Sequence, residues 1–240
     1  MNSPDSRVVL VTGAAGGLGT ALVEAFHRDG WRVAAGTHRS PLRIAGERIL
    51  PLTLDVTRSD SAEAAVETVV ERWGRIDALI NNAGLALDNL LARLAVEDWD
   101  PVMAVNLKGA YLCSRAVLPA MMRQQDGHIL NLASFSGRVG RHGASNYSAA
   151  KAGLVGLTQS LAREVGTFNI RVNGVSPGYL PTALLGPVTP EDLARHAASN
   201  ALGRINETGE VARFMIFLAG MRNVSGQVFQ LDSRIAPSLY

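Results

Sequence analysis

Short runs of β-branched and aliphatic residues recur along this chain, and a stretch with helical spacing separates most of them from the next. The runs are Val8–Val11, Arg32–Ala35, Leu50–Leu54, Ile76–Ile80, His128–Leu132, Ile170–Val175 and Gln227–Leu231. Helices are expected at Thr20–Arg28, Ser59–Trp73, Glu97–Met122 (interrupted near Gly109), Ser148–Glu164 and Glu210–Ala219. Another opens at Thr189-Pro190-Glu191-Asp192, where an N-cap residue, a proline and two acids fall in the order a helix start prefers. Strands separated by helices must pair in parallel, since each return of the chain needs a crossover. The expected class is α/β, a doubly wound parallel sheet of about seven strands with helices on both faces. One crossover is unusual. Thr37–Ile49 is short and holds Pro41 and Gly46, so a turn or open loop is expected there.

Composition narrows the class of partner. The chain has 240 residues with 23 basic and 21 acidic side chains, a formal charge of +2. No dense cationic block suits a nucleic-acid groove, so nucleic acid is excluded as a partner. No run approaches the ~20 apolar residues that span a bilayer, and the polar start Met1–Arg7 leads straight into a strand. A cytoplasmic protein without a membrane partner is expected. The single cysteine, Cys113, lies in an apolar helical run and reads as a buried thiol.

Directly after the first strand comes Thr12-Gly13-Ala14-Ala15-Gly16-Gly17-Leu18-Gly19. Glycines at 13, 17 and 19 allow a tight turn and close backbone approach, and the helix that follows offers unpaired N–H groups and a positive dipole end. That arrangement suits a pyrophosphate. With no linker or repeat in sight, a single Rossmann-type domain over residues 1–240 is expected.

A second constellation carries reaction chemistry. Tyr147 and Lys151 are four apart near a helix start and so project from one face. A tyrosine of ordinary pKa, about 10, is a poor base near neutrality, and a nearby ammonium favours the phenolate. Ser134 follows the fifth strand, where its hydroxyl could hold a substrate oxygen. Lysine is scarce here, only Lys108 and Lys151 among 23 basic residues, which sets Lys151 apart. The matching reaction is proton transfer to a carbonyl oxygen as hydride reaches its carbon.

Taken in order, these motifs resemble the classical short-chain dehydrogenase/reductase family, whose glycine motif is Thr-Gly-x3-Gly-x-Gly. The resemblance covers nearly the whole chain. It implies a catalytic tetrad of Asn106, Ser134, Tyr147 and Lys151, with Asn106 supporting a water path to Lys151. It implies cofactor contacts from Gly13, Ala15, Gly17, Leu18 and Gly19, from Asp55 and Val56, and from Asn82-Ala83-Gly84 after Asn81. Tyr147 and Lys151 would also touch the cofactor, as would Pro177, Gly178, Leu180 and Thr182. NAD-preferring members place an acid at the end of the second strand. Here Thr37, His38 and Arg39 stand in that stretch, and Arg39 could pair with a 2′-phosphate, so NADP(H) is expected, with NAD(H) as the alternative.

Within that family the chain is similar to 3-oxoacyl-(acyl carrier protein) reductases, through Tyr147–Leu154, Ile170–Leu180 and Leu202–Ile205. The expected substrate is a small-molecule or acyl-thioester carbonyl compound, reduced to an alcohol. A substrate lid is expected at about 179–202, its apolar part being Tyr179–Val188 with Leu180, Ala183, Leu184 and Leu185. Arg138, Arg141 and His142 fall near the expected cleft mouth, as attractors of an acidic substrate or as solvated loop charge. The chain departs from the reductase pattern in three places. Asp232-Ser233 stands where Asp-Gly-Gly is usual, and Gln125 and Phe168 stand where basic docking residues are common. An aromatic, steroid-like, sugar or polyketide carbonyl therefore stays open as substrate. So do an oxidative alcohol or dihydrodiol dehydrogenase, an epimerase or dehydratase, and a non-catalytic nucleotide sensor. The apolar flanks of Glu97–Met122 and Ser148–Glu164 suit subunit contacts, and the resemblance implies a homotetramer, with Ile235–Tyr240 packing across it or frayed.

Overall fold

A computed structural model describes residues 6–182, 184, 186 and 188–235. Seven strands form one parallel sheet in the order β3-β2-β1-β4-β5-β6-β7. They are β1 Val8–Thr12, β2 Arg32–Thr37, β3 Ile49–Thr53, β4 Ala78–Asn81, β5 Gly127–Leu132, β6 Ile170–Ser176 and β7 Val228–Gln230. Every residue of β1, β4, β5 and β6 is buried. That explains why β1 reads as a continuous apolar stretch, for a parallel sheet is covered on both faces.

Successive residues of each strand serve opposite layers. Val9, Val11, Val33 and Ile80 pack with Leu22, Phe26 and Met215, beneath α1 (Gly17–Arg28) and α8 (Thr208–Ala219). Val8, Leu10, Leu79 and Ile129 pack with Val66, Val69, Val117 and Leu161. Those come from α2 (Ser59–Trp73), α4 (Gly109–Gln124) and α6 (Ser145–Val165).

The crossover from β2 to β3 carries no helix, as its length requires. The expected long helix Glu97–Met122 is divided. It runs as α3 (Val96–Met103), a π turn over Ala104–Lys108, and α4. The Asn106 side chain gives the reason: its Nδ2 donates to Val102 O at 2.9 Å, the carbonyl that its own backbone N–H would take in a regular helix. A short α5 (Ser136–Val139), unforeseen in the sequence, precedes α6, and α7 (Pro190–Ala198) opens with a complete capping box of Thr189 and Asp192. Strand order reverses between β1 and β4, so the crevice at the carboxyl ends of those strands is where an open α/β sheet places its ligand.

Candidate active site

The glycine turn is held shut by its neighbours. Gly13 has φ +63°, and a Cβ there would lie 2.8 Å from Ala83 Cα. A Cβ on Gly19 would lie 2.2 Å from Gly13 O, and one on Gly17 would meet Thr182 Cγ2 at 2.9 Å. Gly19 thus serves packing of the turn itself, while Gly13 and Gly17 make room for the segments after β4 and β6. Thr12 and Asn82 complete the fastening: Thr12 Oγ1 accepts from Asn82 N (3.0 Å) and Ala83 N (2.9 Å), and Asn82 Nδ2 donates to Thr12 O at 2.9 Å. The first turn of α1 has neither a side-chain cap nor an acid. Its N–H groups and dipole therefore face the crevice beside Ala15 and Leu18 uncompensated by any carboxylate of that turn.

At the far end of the crevice, Thr37 Oγ1 donates to Leu52 O (3.4 Å), and His38 Nε2 stands 3.6 Å from Asp55 Oδ2. The Thr57 hydroxyl, donating to Asp55 Oδ1 at 2.7 Å, holds the Asp55 carboxyl below its ordinary range against the opposing effect of burial. Val56 is buried against Gly109, where a Cβ would come within 2.8 Å of it. Arg39 is exposed and has no ion-pair partner among the described residues.

Ser134, Tyr147 and Lys151 converge on one cavity of about 150 Å³. Leu18, Asn82 and Gly84 also line it, and Pro177, Gly178, Leu180 and Thr182 close another wall. The Ser134 hydroxyl acts on the Tyr147 hydroxyl in the sense that favours the phenolate. Lys151 is buried and its Nζ donates to Leu132 O, the last residue of β5, at 2.6 Å. Burial pushes the Lys151 ammonium down to about 8. Gly137 of α5 makes this assembly possible, since a Cβ there would lie 2.6 Å from the carbonyl carbon of Lys151.

In this arrangement burial outweighs the effect expected of Lys151 on the Tyr147 pKa. It raises the phenol above its ordinary value, while the Ser134 hydroxyl and Arg141 work against it. The reason is geometric: Nζ sits 5.5 Å from the centre of the Tyr147 ring and is engaged by a backbone carbonyl. A raised value keeps the phenol protonated near neutrality, the form needed to donate a proton.

Asn106 is buried in the π turn, and both ends of its amide go to backbone. Nδ2 donates to Leu85 O (2.7 Å) as well as Val102 O, and Oδ1 accepts from Leu85 N (3.4 Å). It thereby pins the segment after Asn82-Ala83-Gly84. All three charged loop residues, Arg138, Arg141 and His142, are exposed, and of them Arg141 lines the cavity and pairs with Asp88. Ala183 and Leu185 of the expected lid lie outside the described residues. Leu180 is buried and Leu184 half exposed at the cavity wall. Gln125 and Phe168 precede β5 and β6, at the opposite end of the sheet from Ser134 and Pro177.

The sequence reading missed a buried polar chain that fixes the helix bearing Tyr147 and Lys151. Asn81 Nδ2 donates to Asn131 Oδ1 (2.8 Å) and Ser114 Oγ (3.1 Å), and Asn131 Nδ2 donates to Thr158 Oγ1 (2.9 Å). Asn146 Nδ2 donates to Leu87 O at 2.9 Å, tying the start of α6 to the crevice wall. Polar residues inside apolar strand and helix runs were the available signal, because a buried amide must find partners. Among the described residues no group of side chains has the makings of a metal site, and no helix is long and apolar enough to cross a membrane.

Residues 7–193 match the model of the short chain dehydrogenase family. The chain belongs to that family. The 3-oxoacyl-[acyl-carrier-protein] reductase FabG of Thermotoga maritima is 40% identical over 95% of this chain and 97% of its own length. A Vibrio cholerae protein of the same name is 36% identical over 90% of each chain, and the 3-oxoacyl-[acyl-carrier-protein] reductase of Synechocystis 32% over 97% and 98%. This short-chain dehydrogenase is accordingly a nicotinamide-dependent oxidoreductase that reduces carbonyl groups. The residues present fit that cofactor. The turn packs so tightly that side chains are excluded at Gly13, Gly17 and Gly19, and the uncompensated α1 N-terminus suits a pyrophosphate.

Proposed function

We propose that this short-chain dehydrogenase is an NADP(H)-dependent reductase of 3-oxoacyl compounds or similar ketones, with Tyr147 as the proton donor. The observation that carries the reading is the meeting of the Ser134–Tyr147 hydroxyl pair with the buried Lys151 ammonium at one cavity wall. The substrate class comes from the names of the relatives, and the choice of NADP(H) rests on Arg39 and the lack of an acid at Thr37-His38-Arg39.

The glycine turn, Asp55-Val56 and Asn82-Ala83-Gly84 would hold the dinucleotide, with Pro177-Gly178, Leu180 and Thr182 against its nicotinamide end. When bound, the reduced cofactor supplies hydride to the carbonyl carbon. Ser134 holds the carbonyl oxygen and steers it towards Tyr147, whose phenol passes its proton to that oxygen. The ammonium of Lys151 stabilises the phenolate left behind, and burial strengthens that interaction. Asn106 acts as a positioning residue through Leu85. A substrate lid over 179–202 and a homotetramer belong to the same reading. Tyr111, 46% exposed beside Leu107 and Leu157 in an open groove, suits a subunit contact that size-exclusion chromatography checks.

The test follows NADPH oxidation with a panel of 3-oxoacyl compounds. Tyr147→Phe is expected to lower kcat by about 10²–10⁴-fold while NADPH binding stays near that of the parent protein. Turnover surviving in Tyr147→Phe, or NADPH binding with no carbonyl reduced, would overturn the assignment.

A further inference from the structure

The C-terminal departure Asp232-Ser233-Arg234 brings a guanidinium into the catalytic cavity, where the sequence reading placed no residue. Arg234 lines the cavity and stacks on Phe135, next to Ser134, with its Cζ 4.2 Å from the ring centre. Its placement is built in. Asp232, whose side chain is 2% exposed, accepts from Arg234 Nε at 2.6 Å, and Gln230 Nε2 donates both to Asp232 Oδ1 (2.7 Å) and to Arg234 O (2.6 Å). Asp232 in turn backs onto Gly178, where a Cβ would meet it at 2.9 Å. The donors at Arg234 Nη1 have no partner among the described residues.

Two more basic side chains share that cavity. Arg141 comes from the turn before α6, and His196 from α7, stacked on Tyr179 at 3.7 Å between ring centres. Both arginines are paired, but their carboxylates, Asp88 and Asp232, are not in the cavity wall. Each arginine thus reaches the wall while its carboxylate does not. Among the described residues the wall contains Arg141, Lys151, His196 and Arg234 and no carboxylate. Burial first, and then Arg195, Arg234 and Arg141 against the opposing Asp192, hold the His196 pKa below the ordinary value.

We infer that Arg234, with Arg141 and His196, forms an anion subsite beside the catalytic hydroxyls, so that the favoured substrate is a ketone bearing a free carboxylate, such as a 3-oxo acid. This rests on the carbonyl-reductase reading above. An orientation by Asp232 and Phe135 leaves Arg234 presenting a fixed donor edge, and a planar carboxylate matches such an edge with two parallel hydrogen bonds. The position argues against service to the cofactor. Arg234 rests beside Ser134, His196 on Tyr179 and Arg141 ahead of Tyr147, and none belongs to the glycine turn or the end of β2.

The experiment compares 3-oxobutanoate with its methyl ester and with its N-acetylcysteamine thioester, using NADPH and the full chain. The acid should exceed both in kcat/KM by about tenfold or more, the range of a hydrogen bond to a charged group. Arg234→Met should bring the acid-to-ester ratio to within about threefold, and Arg234→Lys should keep part of it. The pair Asp232→Asn with Arg234→Met leaves no unpaired buried carboxylate and serves if the single variant fails to fold. Calorimetric binding of 3-oxobutanoate to the NADPH complex of Tyr147→Phe supplies a readout without turnover, so failure of the anion subsite is distinguishable from failure of the proton-transfer reading. An ester or thioester as good as the acid, a ratio unmoved by Arg234→Met, or a loss of NADPH affinity as large as the loss of acid affinity would each overturn the inference.

Discussion

Lys151 is held at a cost to the fold, and replacing it with Met separates its structural effect from its catalytic one. Burial moves its pKa from the ordinary 10.5 to about 8, a displacement worth about 3 kcal/mol at ~1.4 kcal/mol per pH unit. The unfolded chain keeps its proton up to about pH 10.5, whereas the folded chain releases it near 8. Below pH 8 the whole cost is therefore present in the wild type, and it is relieved as pH rises from about 8 towards 10.5, where the unfolded state binds more protons. Met removes the cost and with it the hydrogen bond of a charged donor to Leu132 O, a loss of about 1.5–2 kcal/mol at the low end for such bonds. The variant should then be more stable at pH 7 by about 1–2 kcal/mol, a rise in Tm of about 2–8 °C for a chain of this size. The gain should shrink towards pH 10. Thermal denaturation of the cofactor-free protein at pH 7 and pH 9.5, beside NADPH-linked carbonyl reduction, reads both effects. Activity should fall by about 10²-fold or more. A variant less stable at pH 7 than the wild type would refute the burial argument, and activity within tenfold of wild type would refute the proton-transfer role.

Gly19→Ala places a methyl group 2.2 Å from Gly13 O, so the glycine turn must open. A loss of about 1–3 kcal/mol of stability and at least tenfold weaker NADPH binding are expected, by thermal melts and fluorescence titration. Gly156→Ala, with nothing within 4 Å in the same kind of element, should be neutral or stabilising by comparison. Arg39→Ala should lower kcat/KM for NADPH about tenfold or more and leave NADH nearly unaffected. Equal losses with the two cofactors would show that Arg39 does not read the 2′-phosphate.

The parts of the site that lie on contiguous stretches were legible without coordinates. Val8–Val11 followed by the glycine turn marks a buried strand entering a helix, and Tyr147 with Lys151 needs only helical spacing to share a face. The helix-less return between β2 and β3 follows from chain length alone. Asn106 was found by resemblance, but its work on Leu85 and the π turn it creates were not, because a π turn arises from one side chain competing for a backbone carbonyl. The sense of the Tyr147 pKa was also misjudged. Spacing along a helix says which residues are neighbours, whereas burial, which outweighs the neighbour here, depends on elements distant in the chain.

By itself the sequence determined the α/β class, the succession of the seven strands, the glycine turn after β1 and the pairing of Tyr147 with Lys151 on one helix face, since hydrophobic period and glycine spacing are local properties. Tertiary structure alone decided which surfaces meet. It put Arg234 on Phe135 and Asp232 behind Gly178, joined Asn81 to Asn131 and Thr158, and seated Gly137 against the backbone of Lys151. Those contacts link residues far apart in the chain, and nothing in either partner's local pattern records the distance between them once the sheet has formed.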